Sequence, residues 1–351
     1  MKKSAVFILI NDIHIDKSNG ELVKDVFRQV IDIACQKEIN RIIIGGDIFT
    51  NRSGQPLDCL STFQDIIDIA EENDIVINAI PGNHDKTDPD DDRSYIDIYR
   101  GNRLLTIRRK PDIVTINGCL VAFMPYYSED KWLSEFKNLK KEVVRLKKTH
   151  NTPCFLITHV AINGVLNNDG TEVNNDLNPS MFGLFAKVFV GHYHNASKVG
   201  ENVYYTGSAY QGNFGETLTD KGCIIAYNDG SYESIPLKFP QYIKHVIDVN
   251  DTETLRNLIE KYDGEDYNHI RFVIRGNKVD ASKVDLNYIS SKGIDCKYES
   301  VEERENIDNS IDVDALNYDK RSITKDFLKF CSENNIKGKQ MKYGLNLIKG
   351  I

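Results

Sequence analysis

No two of the seven cysteines, at positions 35, 59, 119, 154, 223, 296 and 331, stand close enough to form a CxxC pair. Scattered and odd in number, they exclude a disulfide framework and a thiolate zinc site, and read as reduced, buried thiols of a cytoplasmic protein. No apolar run approaches the roughly 18 residues that span a bilayer, so no membrane partner is expected. The opening MKKSAVFILI has the look of a short secretory signal, yet Asn11, Asp12 and His14 break its apolar run and no small-residue cleavage site follows. A buried first strand is the better reading. Internal repeats and low-complexity tracts are absent as well. The chain also lacks an excess of positive charge: 44 Lys and Arg against 52 Asp and Glu leave a net charge of −8. Taken alone, that balance argues against nucleic acid, because phosphate binding usually leaves a basic footprint.

What is present is globular. The 351 residues are 40% hydrophobic and 27% charged, enough for about two domains of roughly 150 residues or one large domain with an appendage. Over the first 200 residues, short apolar runs alternate with amphipathic stretches, the rhythm of a layered α/β fold. Strands are expected over 5–10, 41–44, 75–80, 113–116, 119–124, 154–158, 188–190, 203–206 and 223–227. Helices are expected over 21–37, 57–73 and 128–148, the last with Lys137, Lys140, Lys141, Arg145, Lys147 and Lys148 on its exposed side. A smaller α+β unit follows: strand 244–249, helix 251–261, strand 269–274, helix 280–291 and strand 295–299, with Asp251 and Asp280 at N-cap positions. The expected division is therefore a catalytic domain over 1–240, a small unit over 241–300, an acidic linker over 301–319 and a basic segment over 320–351. That last segment holds eight Lys or Arg against two acids, and an apolar stripe of Ile323, Phe327, Leu328 and Phe330 at helical spacing.

Five short clusters stand where an expected strand runs into a loop, which is where α/β folds place ligands. They are Asp12-Ile13-His14, Gly45-Gly46-Asp47, Gly82-Asn83-His84-Asp85, Thr158-His159 and Gly191-His192-Tyr193-His194. In the first and last, polar residues two apart would face the same side of extended backbone and could share one metal site. The preceding glycines permit sharp turns. Singly each cluster is weak: an Asp-x-His is common, Gly-Asn-His-Asp can be a turn, and Gly-His-Tyr-His can be two edge-strand histidines. Together they hold five of the eight histidines, all after apolar runs. His150, His245 and His269 have no such setting and read as structural. Two aspartates, four histidines and one asparagine make seven oxygen and nitrogen donors, about what two divalent ions sharing a bridging carboxylate require. A pair of that kind suits phosphoester hydrolysis.

The order DxH, GGD, GNHD, TH, GHxH resembles the calcineurin-like metallophosphoesterase superfamily, which implies a four-layer α/β/β/α sandwich with a dimetal site at the strand ends. Within it, Asn-Asp-Ile-His at 11–14, Gly-Gly-Asp-Ile-Phe at 45–49, and Tyr205-Thr206-Gly207-Ser208 followed by Phe214-Gly215-Glu216 and Lys221-Gly222 resemble the Mre11/SbcD nuclease family. The resemblance implies that Asp12, His14 and His194 hold one metal, that Asn83, His159 and His192 hold the other, and that Asp47 bridges them. It implies Mn²⁺ as the metal and His84 as the general acid for the leaving 3′ oxygen, or as the group that positions the scissile phosphate. Asp85 is a candidate to orient His84 or to stabilise the turn, Arg52 a candidate phosphate contact or a surface ion pair, and Gly207 and Ser208 shape the loop behind GHYH. One departure stands out: family nucleases often carry a second histidine where this chain has Thr50, which puts the balance of exonuclease and endonuclease activity in question.

The resemblance further implies a capping unit over 241–300, a helical tail that docks an SbcC/Rad50-type coiled-coil ATPase, and a homodimer acting on DNA. Against this stand a small-nucleotide phosphodiesterase or phosphatase of the same superfamily, and a non-enzymatic scaffold for DNA or the ATPase. The net charge of −8 need not exclude DNA, since two ions add about four positive charges at the centre. Basic residues also gather at Arg100, Arg103, Arg108, Arg109 and Lys110, on the 128–148 helix and after Lys320, while acid concentrates over 85–92 and 299–319.

Overall fold

In a computed structural model of the chain, the residues described are 2–166, 171–217 and 221–300, with Phe327, Leu328, Cys331 and Met341. The acidic linker over 301–319 lies outside them, as does the basic segment over 320–351 apart from those four residues. Two compact units are distinguishable, Met1–Ile274 with Asp285–Tyr298, and Arg275–Val284 with Glu299–Ile351. Within the second, Arg275 Nε lies 3.0 Å from Glu299 Oε2 and Lys283 pairs with Asp280 at 2.6 Å.

The first unit is built on two six-stranded sheets. One contains β1 (Ala5–Ile10), β2 (Arg41–Ile44), β3 (Val76–Ala79), β4 (Leu105–Ile107), β11 (Gly222–Tyr227) and β12 (Tyr232–Pro236), in the order β12-β11-β1-β2-β3-β4. The other contains β5 (Asp112–Ile116), β6 (Cys119–Met124), β7 (Cys154–His159), β8 (Lys187–Gly191), β9 (Ser197–Val199) and β10 (Val203–Tyr205), in the order β5-β6-β7-β8-β10-β9. β1 through β4 run parallel, as do β6, β7, β8 and β10, so both sheets are parallel at their centres.

Period-two alternation explains why these strands read as unbroken apolar runs. Ile8 and Ile10 join Ile42, Ile44, Ile77 and Ala79 against helices α1 (Gly20–Gln36) and α2 (Leu57–Glu72), whereas Phe7, Leu9 and Ile43 turn to the opposite face and meet Phe123, Phe155, Ile157 and Phe189 of the second sheet. The outer face of the second sheet packs Ala122, Leu156 and Val188 against Trp132, Phe136, Leu139 and Val143 of α3 (Glu129–Lys147). The result is an α/β/β/α sandwich whose strands are buried on both sides. Each fully buried aliphatic or aromatic side chain contributes about 1.5–3 kcal/mol. α1 shows the helical counterpart: Val23, Val26, Phe27, Val30, Ile31 and Ala34 fall on one buried stripe.

A third, three-stranded sheet of β13 (Tyr242–Asp248), β14 (His269–Gly276) and β15 (Asp295–Ser300) accompanies α4 (Thr252–Tyr262). The Asp251 carboxylate caps α4 by accepting the Thr254 amide at 3.1 Å. The single helix expected over 280–291 is corrected. Lys278–Lys283 forms only a 3-10 turn, Val284 is extended at φ −119, and α5 (Leu286–Ser291) starts afresh where Asp285, not Asp280, accepts the Tyr288 amide at 3.0 Å. The β-branched Val284 and the capping Asp285 favour a break over a continuous helix. The seven cysteines are unpaired, but Cys35 is exposed and Cys296 only half-buried, against the expectation of buried thiols. Among the described residues no helix is long and apolar enough to cross a membrane.

Candidate metal centre

The five clusters meet at the carboxyl ends of the parallel strands. Asp12 and His14 follow β1, Asp47 follows β2, Asn83 and His84 follow β3, His159 ends β7, and His192 and His194 follow β8. The chain turns sharply here: Asp12, His14, Asp47 and His192 have φ of 52, 43, 50 and 97 degrees. A non-glycine residue in that region costs on the order of 1–3 kcal/mol, tolerated only where the surroundings enforce it. They do so through Asp12 N to Gly46 O at 3.2 Å, His14 N to Asp47 O at 3.1 Å, and His192 N to Asp12 Oδ1 at 3.0 Å.

Two groups of donor atoms result, Asp12 with His14 and His194, and Asp47 with His159 and His192, the atoms of each lying within 4.8 Å of one another. The Nε2 atoms of His14 and His194 are 2.9 Å apart. Asn83 Oδ1 completes the second group, 2.9 Å from His192 Nδ1 and 3.1 Å from His159 Nε2. Asp47 serves both sides: Oδ1 accepts the His84 amide at 2.8 Å, while Oδ2 lies 3.2 Å from His159 Nε2 and 3.7 Å from His14 Nε2. Neighbouring ligands of one ion with bonds of about 2.1 Å sit roughly 3.0–3.4 Å apart, so these converging lone pairs fit two divalent cations. His159 donates Nδ1–H to the Gly45 carbonyl at 3.0 Å, which makes Nε2 the atom turned to the centre.

Electrostatics follow from burial. Desolvation lowers His14 to about 4 and His192 to about 3, keeping both rings neutral and able to ligate at pH 7. Burial also works against a charge on His159, but Asp47 and Asp12 beside it outweigh that and raise it to about 9. Burial pushes Asp12 up to about 6 despite His159 and His194. Asp47 is held below the usual carboxylate range, since the surrounding histidines overcome its desolvation.

Three expectations need correction. Residues two apart do not share a site in GHYH: His192 faces the Asp47 group and His194 the Asp12 group, because the left-handed turn at His192 removes the extended backbone on which that alternation depends. Of the two roles open to Asp85, its contacts are those of the turn-stabilising one and not of an orienting partner for His84. Asp85 is wholly buried, and its carboxylate accepts the amides of Ile48 at 3.0 Å, Phe49 at 3.1 Å and Gly82 at 2.8 Å, tying the β2 loop to the β3 loop. His84 is instead held by the Thr50 carbonyl at Nδ1 and by Arg52, whose Nη2 donates to Nε2 at 3.1 Å. Lastly, four of the five basic residues over 100–110 face carboxylates: Arg103 with Asp74, Arg108 with Asp112, Arg109 with Asp97 and Lys110 with Asp92.

The glycines act mainly by close approach. A Cβ at Gly82 would overlap the Asp47 carboxylate, and one at Gly46, whose φ is +105, would strike the His159 ring. Glu216 went unassigned as a site residue, although Phe214-Gly215-Glu216 stood out as a motif. It accepts His194 Nδ1–H at Oε1, 2.9 Å away. The signal was the resemblance of the stretch downstream of GHYH to a known family; the contact depends on a loop closure that a linear pattern does not encode.

The calcineurin-like phosphoesterase profile matches residues 5–196, and the chain belongs to that family, whose members bind divalent metals and hydrolyse phosphoesters. Among individual proteins, the chain is 23% identical over 278 residues to a viral protein named as a phosphoesterase, 078R of Invertebrate iridescent virus 3, covering 77% of this chain and 76% of the relative. Similar solved structures include the calcineurin-like phosphoesterase YfkN of Bacillus subtilis, at 13% identity and TM-score 0.39, covering 67% of this chain and 88% of that one. The nuclease MPE of Pseudomonas putida follows at 12% identity and TM-score 0.28, covering 57% and 67%.

Proposed function

We propose that the protein is a Mn²⁺-dependent DNA nuclease of the Mre11/SbcD type, the hydrolytic subunit of a DNA-end-processing complex. The observation that carries this reading is the placement of His84. Its Nε2 is 4.0 Å from Asp47 Oδ2 and its ring 4.9 Å from that of His14, beside the centre but in neither donor group. When bound, the two ions would supply an activated water and neutralise charge on the phosphoryl oxygens.

The chain's own side chains account for the remaining tasks. The Thr50 carbonyl accepts a hydrogen bond from His84 Nδ1–H, so Nε2 is the atom presented to the substrate. A phosphate that draws the Arg52 guanidinium onto its own oxygens frees the Nε2 lone pair, which can then take up a proton from solvent and pass it to the leaving 3′ oxygen, or as the protonated ring hold the scissile group. Because the backbone of Thr50 does the anchoring, a hydroxyl side chain at this position is compatible with a working His84. The centre opens into a cavity of about 520 Å³ that runs past Arg52 to Tyr242 at the start of the third sheet, which we read as the capping unit over 241–300. To the same reading belong a homodimer and docking of a coiled-coil ATPase on 320–351.

A small nucleotide ester is the second substrate class, favoured by the neutralised basic stretch over 100–110, which leaves less free positive charge for duplex DNA. The experiment is degradation of linear DNA with Mn²⁺ by the full chain, beside turnover of small phosphomonoesters and phosphodiesters. DNA should be degraded, with a loss of about 10²-fold or more in H84A while two ions per chain remain bound. Untouched DNA with a small ester cleaved would overturn the nuclease reading, and a chain that takes up no metal would favour the scaffold.

A further inference from the structure

Phe214-Gly215-Glu216 and Lys221 belong to a motif to which metal chemistry assigns no task. We propose that Glu216, held by Lys221, is a positioning residue for His194 that sets the metal affinity of the Asp12, His14 and His194 group while leaving the Asp47, His159 and His192 group unchanged. The inference rests on reading these residues as two metal-holding groups, and not on DNA as the substrate.

His194 is gripped at both ends. Its Nδ1–H is donated to Glu216 Oε1 at 2.9 Å, and its carbonyl accepts Lys221 Nζ at 2.7 Å and Ser208 N at 3.1 Å. The ion pair behind this grip is buried, with the Lys221 and Glu216 side chains 1% and 5% exposed and 2.6 Å between Nζ and Oε2. Lys221 also donates to Ser208 Oγ at 2.7 Å, so all three ammonium protons have acceptors. The remaining lone pairs of Glu216 take Gly212 N at 3.2 Å and Asn213 Nδ2 at 3.0 Å, while Ser208 passes its own proton to the Tyr210 carbonyl at 2.7 Å. Gln211 closes the loop by donating to the Glu216 carbonyl at 2.8 Å.

Two consequences follow for the ring. A carboxylate on Nδ1–H fixes the tautomer, aims Nε2 at His14 and raises its basicity as a ligand. Saturation of Oε2 by Lys221 keeps Glu216 from becoming a ligand itself, which a free carboxylate so close to the centre would otherwise do. His159 has only a backbone carbonyl on its Nδ1, and His192 presents Nδ1 itself to Asn83, so neither ring of the other group has this support. Loss of the Glu216 contact should therefore be felt on one side of the centre.

The test is calorimetric titration of Mn²⁺ into the metal-free full chain, with H194A and H159A as references that identify the two binding steps. E216A, and E216Q as the isosteric variant should the alanine fail to fold, are expected to weaken the step that H194A removes by about 10–100-fold and to leave the H159A step within about 3-fold of wild type. K221M should weaken the same step, since its loss frees Oε2 to turn from its place. If the pair merely staples the loop, melting temperature falls while both steps weaken together or neither does; either outcome overturns the proposal, as does selective loss of the H159A step.

Discussion

Replacing Asp85 with alanine separates a structural from a catalytic role more sharply than any change at the metal ligands. The carboxylate is fully buried and satisfies the amides of Ile48, Phe49 and Gly82. Without it, three buried N–H groups lose their acceptor, at about 1–3 kcal/mol each. Release of a desolvated carboxylate returns part of that, so a net loss of about 3–5 kcal/mol is expected, comparable to breaking a buried charge pair. At about 2 °C per kcal/mol for a chain of this size, the melting temperature should fall by roughly 6–10 °C. Asp47 and His84 sit on the two loops that Asp85 joins, so Mn²⁺ affinity should fall with stability, while residual hydrolysis keeps the pH profile of the wild type. Thermal melting, metal titration and the pH dependence of kcat/KM measure the three. A D85A protein that melts normally, binds two ions, and loses activity with a shifted pH profile would refute the argument and return Asp85 to His84 as its orienting partner.

Other outcomes follow from the same geometry. T50A removes only the hydroxyl that donates to the His14 carbonyl at 2.8 Å and keeps the backbone carbonyl on His84, so stability should fall by about 1 kcal/mol in denaturant melts and hydrolysis should change by less than about 3-fold. G82A drives a methyl group into the Asp47 carboxylate and should abolish the second donor group, seen as at most one bound ion by elemental analysis. In the metal-free protein His159 titrates at about 9, so at pH 7 to 8 it carries a proton that must leave before Nε2 can ligate. Against its burial, His194 is raised as well, by Glu216 and Asp12, so filling the site should release at least one proton per chain in that range, and metal affinity should rise with pH until about 9. Calorimetry in buffers of different ionisation enthalpy reads that number directly.

How far the chain could be read in advance depends on the range of the interactions involved. The parallel core strands and amphipathic helices were legible because burial on two faces or one imposes continuous or periodic apolar patterns. Ile8, Leu9 and Ile10 announce β1 wherever the rest of the chain lies. The seven candidate ligands were legible because polar residues clustered directly after such runs. β4 and β9, of three residues each, carry too little pattern to be recognised, and the break at Val284 turned on one capping side chain.

By itself, then, the sequence determined the layered α/β class and the set of oxygen and nitrogen donors, since both depend on residue type and short spacing. Tertiary structure decided that His192 and His194 serve different groups although they stand two apart, because the backbone at His192 is left-handed and not extended. It also decided that Asp85 binds loop amides instead of a histidine, that the carbonyl of Thr50 anchors His84, and that Glu216 reaches His194. Each is a contact across a loop closure, set by where strands from different parts of the chain end.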